Sequence, residues 1–224
     1  MATANHHGPA VTAEELLTAL SRQAPTTVYE AAGKQGAMDT SLRPVAPGMR
    51  LCGRALTVRC QPADNLTLHA AVAMAKPGDV IVADVSGFVE AGHWGEILTV
   101  AAQQRGVAGL VINGGVRDID AARRRDFPVF AAGVSMKATV KEVLGSINEP
   151  IVCGGVEVRP GDIVLGDDDG LVVVAIETAG DALQAAIARE TAELDVMRRL
   201  QAGELTIDIL GFRTRLAQTG GTGS

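Results

Sequence analysis

The sequence predicts an α/β protein, and three observations carry that reading. Between residues 53 and 131, segments with strand character alternate with segments of helical character, the pattern of successive βαβ units. The apolar share is 47% against an aromatic share of only 3%, so the expected core is built from Val, Ile, Leu and Ala. Glycine is abundant, at 26 of 224 residues, which favours turn-rich α/β folding over a helical bundle.

The elements follow in order. Thr12, with Glu15 three residues on, is a capping-box pattern opening a short amphipathic helix over 12–22. Residues 1–10 ahead of it lack an apolar signal core and are expected as an unstructured leader, so His6 and His7 are set aside as ligands. Pro25 and Thr26 open a second helix that ends near Gly33, and residues 35–50 read as a Pro- and Gly-containing loop. Alternation over 53–60 predicts a half-exposed strand, and Asp64 is placed as the cap of a helix over 64–75. A turn at Pro77-Gly78 leads into a buried strand, Val80–Ala83. A helix over 94–105 and a buried strand over 109–113 follow, the strand ending in the turn Asn113-Gly114-Gly115. A helix starts at 118–125 and a strand runs from Phe127 to Ala131.

After that the character changes. Short strands separated by Gly turns over 150–175 read as antiparallel, and Pro-Gly-Asp at 160–162 repeats the turn-then-strand pattern seen at 77–79. The longest helix is predicted at 178–202, with Leu183, Ile187, Leu194 and Met197 on one stripe and Gly203 as its stop. The expected organisation is one domain over 11–202 and a tail over 203–224 with a mobile Gly/Thr-rich end.

Composition excludes some classes of function. The net charge of −6 repels phosphate backbones, so no nucleic-acid partner is expected. Arg123, Arg124 and Arg125 read as a solvated helix end. Cys52, Cys60 and Cys153 are too few and too odd in number for a disulfide framework and suit a reducing, cytoplasmic setting. Cys52 and Cys60 read as small apolar residues in or near a strand. No segment is long enough for a membrane helix.

The chemistry concentrates in residues 94–118. A helix opening at Gly95-Glu96 presents unpaired backbone N–H groups suited to an anion. Arg117 and Asp118 emerge at the end of a buried strand, the edge where α/β proteins bind ligands, and the two preceding glycines are expected to let a ligand approach. Arg supplies planar donors for a carboxylate or enolate oxygen, and Asp supplies a hard oxygen ligand for Mg²⁺ or Mn²⁺. By spacing alone, a surface Arg–Asp pair capping the next helix is the favoured reading, and a ligand site the alternative.

Gly95-Glu96-Ile97-Leu98, followed by Gly114-Gly115-Val116-Arg117-Asp118, resembles the signature of the RraA-like family: an acidic or Gly position, twenty residues, then Arg-Asp. The stretches 64–84, 167–174 and 202–216 are also similar to that family. The resemblance implies a layered β/β/α sandwich of the swivelling-domain-like type with helical arms at both ends, assembling as a homo-oligomer, trimer or hexamer. The family includes class II, metal-dependent aldolases that cleave 4-hydroxy-4-methyl-2-oxoglutarate and 4-carboxy-4-hydroxy-2-oxoadipate to pyruvate and a second keto acid. Trp94-Gly95-Glu96 and the C-terminal tail are similar to the aldolases; the ribonuclease-inhibiting regulators of the family are the alternative.

The resemblance implies these roles. Arg117 and Glu96 would be catalytic; Gly95, Glu96, Ile97, Leu98 and Arg117 would bind the keto acid; Asp118 would hold the metal, joined by Glu193 from a neighbouring subunit, with Glu190 as the other candidate. Oxaloacetate decarboxylation is the expected side activity, since it passes through the same enolate. His93 is a second-carboxylate contact or a plain loop histidine, His69 is packed or on the surface, and Lys137 and Lys141 read as helix-surface residues. A methyltransferase reading lacks a Gly-rich cofactor loop after a first strand.

Overall fold

The computed structural model describes residues 12–218; the expectations for His6, His7, the leader and the Gly/Thr-rich end lie outside them. The elements are α1 (Ala13–Leu20), α2 (Pro25–Ala31), β1 (Arg43–Pro44), β2 (Leu51–Arg59), α3 (Leu66–Met74), β3 (Asp79–Asp84), α4 (Glu96–Gln104), β4 (Gly109–Val116), α5 (Ile119–Arg124) and β5 (Val129–Val134). Then come β6 (Ser146–Ile147), β7 (Ile151–Cys153), β8 (Val156–Val158), β9 (Ile163–Asp167), β10 (Gly170–Val174), α6 (Ala179–Gln201), α7 (Thr206–Ile209) and α8 (Phe212–Gln218).

The α/β class holds. An eight-stranded mixed sheet runs β1-β5-β4-β3-β2-β9-β10, with β6 paired to β2. Strands β2, β3, β4 and β5 are mutually parallel, and β9 and β10 join antiparallel. The β7–β8 hairpin forms a second, smaller sheet. It packs on β2 and β3, as α3 does, which gives the layers of a β/β/α sandwich.

Two apolar cores result. The larger is aliphatic, as composition requires, and spans β2–β5, α3, α4 and the β7–β8 hairpin. The smaller lies where α1, α2 and the first half of α6 cover Ile163, Leu165, Val172 and Val174. Alternate residues of the same strands, Val164, Leu171 and Val173, point into the larger core, so the β9–β10 hairpin is buried on both faces.

Local signals account for most boundaries. Thr12 and Glu15 form the reciprocal capping box at α1. The repeated Pro-Gly-Asp is a shared turn: Asp79 accepts the Lys76 N–H and Asp162 the Arg159 N–H, each at 2.8 Å. The repeat is therefore turn chemistry used twice, with Gly78 and Gly161 at φ 84 and 89.

Several expectations are corrected. Strand β2 is largely buried rather than half-exposed, because it lies between β3 and β9 at the centre of the sheet. Asn65, not Asp64, takes the N-cap position of α3. Asp64 sits one residue earlier and accepts three N–H groups, from Leu66, Glu142 and Val143, each at 2.8 Å. Lys137 and Lys141 lie on an irregular segment, not a helix. On α6 only Leu183 of the expected stripe is buried; Ile187, Leu194 and Met197 are exposed. The tail carries the two short helices α7 and α8.

Strand β4 does not end in a glycine turn. It continues to Val116, and its pairing with β5 steps from Ile112↔Ala131 to Gly115↔Gly133, three residues on β4 for two on β5. Such a bulge re-aims the side chains beyond it. The two glycines serve the backbone, not a ligand. A Cβ on Gly114 would meet Val85 Cγ2 at 2.1 Å, and one on Gly115 would meet the carbonyls of Val89 and Ala91 at 2.3 and 2.5 Å. They admit the 85–91 segment, which crosses β4 at van der Waals range.

Candidate active site

The site forms where the end of β4 meets the start of α4. Residues 92–94 run beside the last turns of β4: the His93 N–H donates to Gly115 O at 2.9 Å, and the Arg117 N–H donates to Trp94 O at 2.8 Å. Trp94 is buried, stacks on Phe127 at 6.1 Å and donates its indole N–H to Thr99 Oγ1 at 2.9 Å, which fixes the first turn of α4.

Beyond the bulge, Asp118 adopts a left-handed backbone at φ 56, a conformation Asp tolerates better than most residues. Its Oδ2 accepts the Glu96 N–H at 3.0 Å, so it caps α4 from across the cleft. Arg117 Nε lies 3.8 Å from the same oxygen. Two glycines make the space. A Cβ on Gly95 would stand 2.5 Å from Asp118 Oδ2, and one on Gly92 would stand 3.0 Å from the Arg117 side chain.

The cleft gathers every same-chain residue expected from the sequence: Gly95, Glu96, Ile97 and Leu98 from α4, Arg117 and Asp118 from the end of β4. One of the free helix N–H groups, that of Glu96, is taken by Asp118; those of Ile97 and Leu98 make no backbone hydrogen bond among the described residues. The Glu96 carboxylate is held by Arg125 at 2.7 Å. Glu193 does not line the cleft of its own chain; it pairs with Arg189 on α6 at 2.8 Å, and Arg189 also pairs with Glu30 on α2. Glu190 lies 3.5 Å from the Gln23 amide.

Sequence reasoning missed three residues that also line the cleft: Asn65, His69 and Lys141. Asn65 and His69 are four apart at the start of α3 and so share a face, a signal that was readable. Which way that face turns was not. Lys141 arrives through the 135–145 segment, pinned by Asp64 through the Glu142 and Val143 N–H groups. Burial holds the His69 imidazole below its ordinary value, and the Lys141 charge adds to this.

His93 is not in the cleft. It is fully buried, its Nε2 accepts the Ala63 N–H at 3.0 Å, and Nδ1 lies 3.2 Å from Gly115 O, so it is a packing residue that ties loop to strand. All three cysteines are free thiols, and burial pushes Cys153 up to about 12. Among the described residues no three His, Cys, Asp or Glu side chains gather to hold a metal, and no helix is long and apolar enough to cross a membrane.

A guanidinium, a carboxylate and a helix N-terminus meet at the end of a parallel strand, the edge of an α/β sheet where ligand clefts form. A family profile described as RraA-like, Aldolase/RraA, matches residues 25–173, and the chain belongs to that family. The matched stretch includes the whole cleft and stops before α6.

A protein of Halalkalibacterium halodurans, provisionally named a 4-hydroxy-4-methyl-2-oxoglutarate aldolase, is 37% identical over 166 residues, covering 74% of this chain and 79% of that protein. A crystal structure of a Pseudomonas syringae protein of unknown function superposes with a TM-score of 0.77 at 27% identity, over 88% of this chain and 97% of that one. RraAS2 of Streptomyces coelicolor, described as an unusual member of the RNase ES inhibitor RraA family, gives a TM-score of 0.75 at 27% identity, over 83% and 98%.

Proposed function

We propose that this chain is a divalent-metal-dependent aldolase, a carbon–carbon lyase that cleaves 4-hydroxy-2-oxo diacids. The substrate class is that of 4-hydroxy-4-methyl-2-oxoglutarate and 4-carboxy-4-hydroxy-2-oxoadipate, the products are pyruvate and a second keto acid, and oxaloacetate decarboxylation is the side activity. The observation that carries the reading is the convergence of Arg117, Asp118 and the α4 N-terminus on one cleft. The relative named for this activity supports the same reaction class.

Asp118 has the donor chemistry for Mg²⁺ or Mn²⁺: Oδ2 caps α4, while Oδ1 makes no hydrogen bond among the described residues. A cation that keeps most of its waters needs only one or two protein carboxylates, and Glu193 of a neighbouring copy is the proposed second. When bound, the cation supplies Lewis-acid stabilisation of charge on the substrate's 2-oxo oxygen.

The chain's own groups do the rest. The N–H groups of Ile97 and Leu98 bind the carboxylate beside the keto group. Arg117 donates to the 2-oxo oxygen, where negative charge collects as the C3–C4 bond breaks. Glu96, or Glu193 from the neighbour, accepts the 4-hydroxyl proton through a water. C4 becomes a carbonyl, and the bond's electrons pass to the pyruvate enolate, which is then protonated at C3. His69 and Lys141, which line the same cleft, offer N–H donors to the second carboxylate.

We further propose a homo-oligomer, trimer or hexamer. Large apolar side chains stand exposed at the cleft (Ile97 at 76%), on the segment after β5 (Met136 at 90%) and on the C-terminal helices (Leu194 at 58%, Phe212 at 44%). Covering them with a second copy removes apolar area from water.

The test is pyruvate release from a panel of 4-hydroxy-2-oxo acids with Mg²⁺ or Mn²⁺. Activity should vanish with EDTA, and Arg117→Ala should lower kcat/KM by about 10²–10³. Turnover by Arg117→Ala near that of the wild type overturns the reading. The likeness to RraAS2 favours a second reading, a regulator that binds a ribonuclease; under it Arg117→Ala and EDTA would leave inhibition intact.

A further inference from the structure

The three consecutive arginines at the end of α5 divide their work. Arg123 and Arg124 both pair with Asp120 on their own helix. Arg125 crosses to α4, where its Nε and Nη2 donate to Glu96 Oε1 at 3.0 and 2.7 Å. Its backbone carbonyl accepts the Gln103 side-chain N–H at 2.8 Å. Glu96 and Gln103 are seven residues apart on α4, two turns along one face. Arg125 is thus anchored at both ends to the helix whose first turn opens the cleft.

Glu96 is in turn held twice. Asp118 takes its backbone N–H at 3.0 Å, and Arg125 takes Oε1. Oε2 makes no hydrogen bond among the described residues. The Arg125 and Glu96 side chains are 40% and 42% exposed, and an ion pair so open to water adds little to stability. What a planar guanidinium with two donors on one oxygen does supply is orientation: it removes the rotamer freedom of an otherwise mobile glutamate.

We propose that Arg125 is a positioning residue for the lyase reaction: it fixes Oε1 of Glu96 so that Oε2 is the oxygen that takes the substrate's 4-hydroxyl proton through a water. The inference rests on the aldolase reading and goes beyond it in assigning Arg125, which does not line the cleft.

A double-mutant cycle tests it. Pyruvate release with Mg²⁺ is measured for the wild type, Arg125→Ala, Glu96→Gln and the double variant, together with thermal melting. Arg125→Ala should lower kcat about tenfold and leave KM within about twofold, the mark of an interaction used in the transition state. Its melting temperature should stay near that of the wild type. In the Glu96→Gln background the same change should cost nothing further, because a residue acting only through Glu96 has lost its object.

Arg125→Lys, which keeps the charge without the fork, should recover part of the loss and carries the cycle if the alanine variant does not fold. An equal cost of Arg125→Ala with and without Glu96→Gln, or no cost at all, in an active wild type overturns this inference alone. A wild type that releases no pyruvate overturns the aldolase reading and this inference with it.

Discussion

Asp118 Oδ2 accepts the Glu96 N–H at 3.0 Å, so the residue proposed to hold the cation also caps the helix proposed to bind the substrate. The two lie 22 positions apart, and the contact exists because the β4 bulge and the left-handed backbone of Asp118 turn its carboxylate back toward α4. The metal-ligand candidate and the helix start are thus joined directly, and the close packing at Gly92 and Gly95 is part of that geometry.

Gly95→Ala should damage the site more than the fold. The new methyl would stand 2.5 Å from Asp118 Oδ2 and 3.1 Å from the Arg117 side chain. Both can swing into the cleft, so melting should drop by no more than a few degrees while kcat/KM falls on the order of 10²-fold. Unchanged kinetics would show that the Arg117–Asp118 arrangement does not govern activity.

Gly115→Ala should do the reverse. Its methyl would meet the backbone carbonyls of Val89 and Ala91 at 2.3 and 2.5 Å, and backbone cannot rotate away. Overpacking of this kind costs about 1–3 kcal/mol, read as a lower denaturant midpoint with an unchanged m-value. A midpoint equal to that of the wild type would refute the close crossing of the 85–91 segment over β4.

Asp64→Asn tests the segment that carries Lys141. The carboxylate accepts three N–H groups, and those bonds outweigh burial, which on its own would raise the carboxyl, to hold it below its usual value. An amide has one acceptor oxygen and cannot satisfy all three donors. A loss of about 2 kcal/mol is expected, with KM rising several-fold as Lys141 loosens. A stable variant with wild-type KM would detach the segment from substrate binding.

Acid should destabilise the protein through His93. Burial lowers its pKa, while the Gly115 and Ala91 carbonyls and Asp64 oppose this in part. The folded state then binds fewer protons than the unfolded state below the ordinary value of 6.5. Stability should accordingly be flat above that pH and fall beneath it, with a slope of up to about 1.4 kcal/mol per pH unit for each such histidine. His69 is shifted in the same direction, also by burial first. Denaturant midpoints measured from pH 7.5 to 5.5 check this; a constant midpoint would place an ionised His93 in the folded state.

Much of the site was legible in the sequence because it is written in local chemistry. The capping box at Thr12, the turns at Asp79 and Asp162, and the alternation of strand and helix each depend on residues a few positions apart. The RraA-like signature fixed Gly95, Glu96, Arg117 and Asp118 by type and spacing, and the fold brings all four to one cleft.

What the tertiary structure alone decided was direction. Gly114 and Gly115 carry the same sequence signal whether a ligand or a backbone approaches, and only the crossing of residues 85–91 settles which. Asn65 and His69 were placed on a helix, but a helix has no front until it packs; packing turned that face to the cleft and buried His93 instead. Arg125 could not be told from its two neighbours by sequence, since all three are the same residue in a row. The physical reason is common to these cases: propensity and pattern fix the backbone locally, whereas the neighbour of a side chain is set by which distant segments share the core.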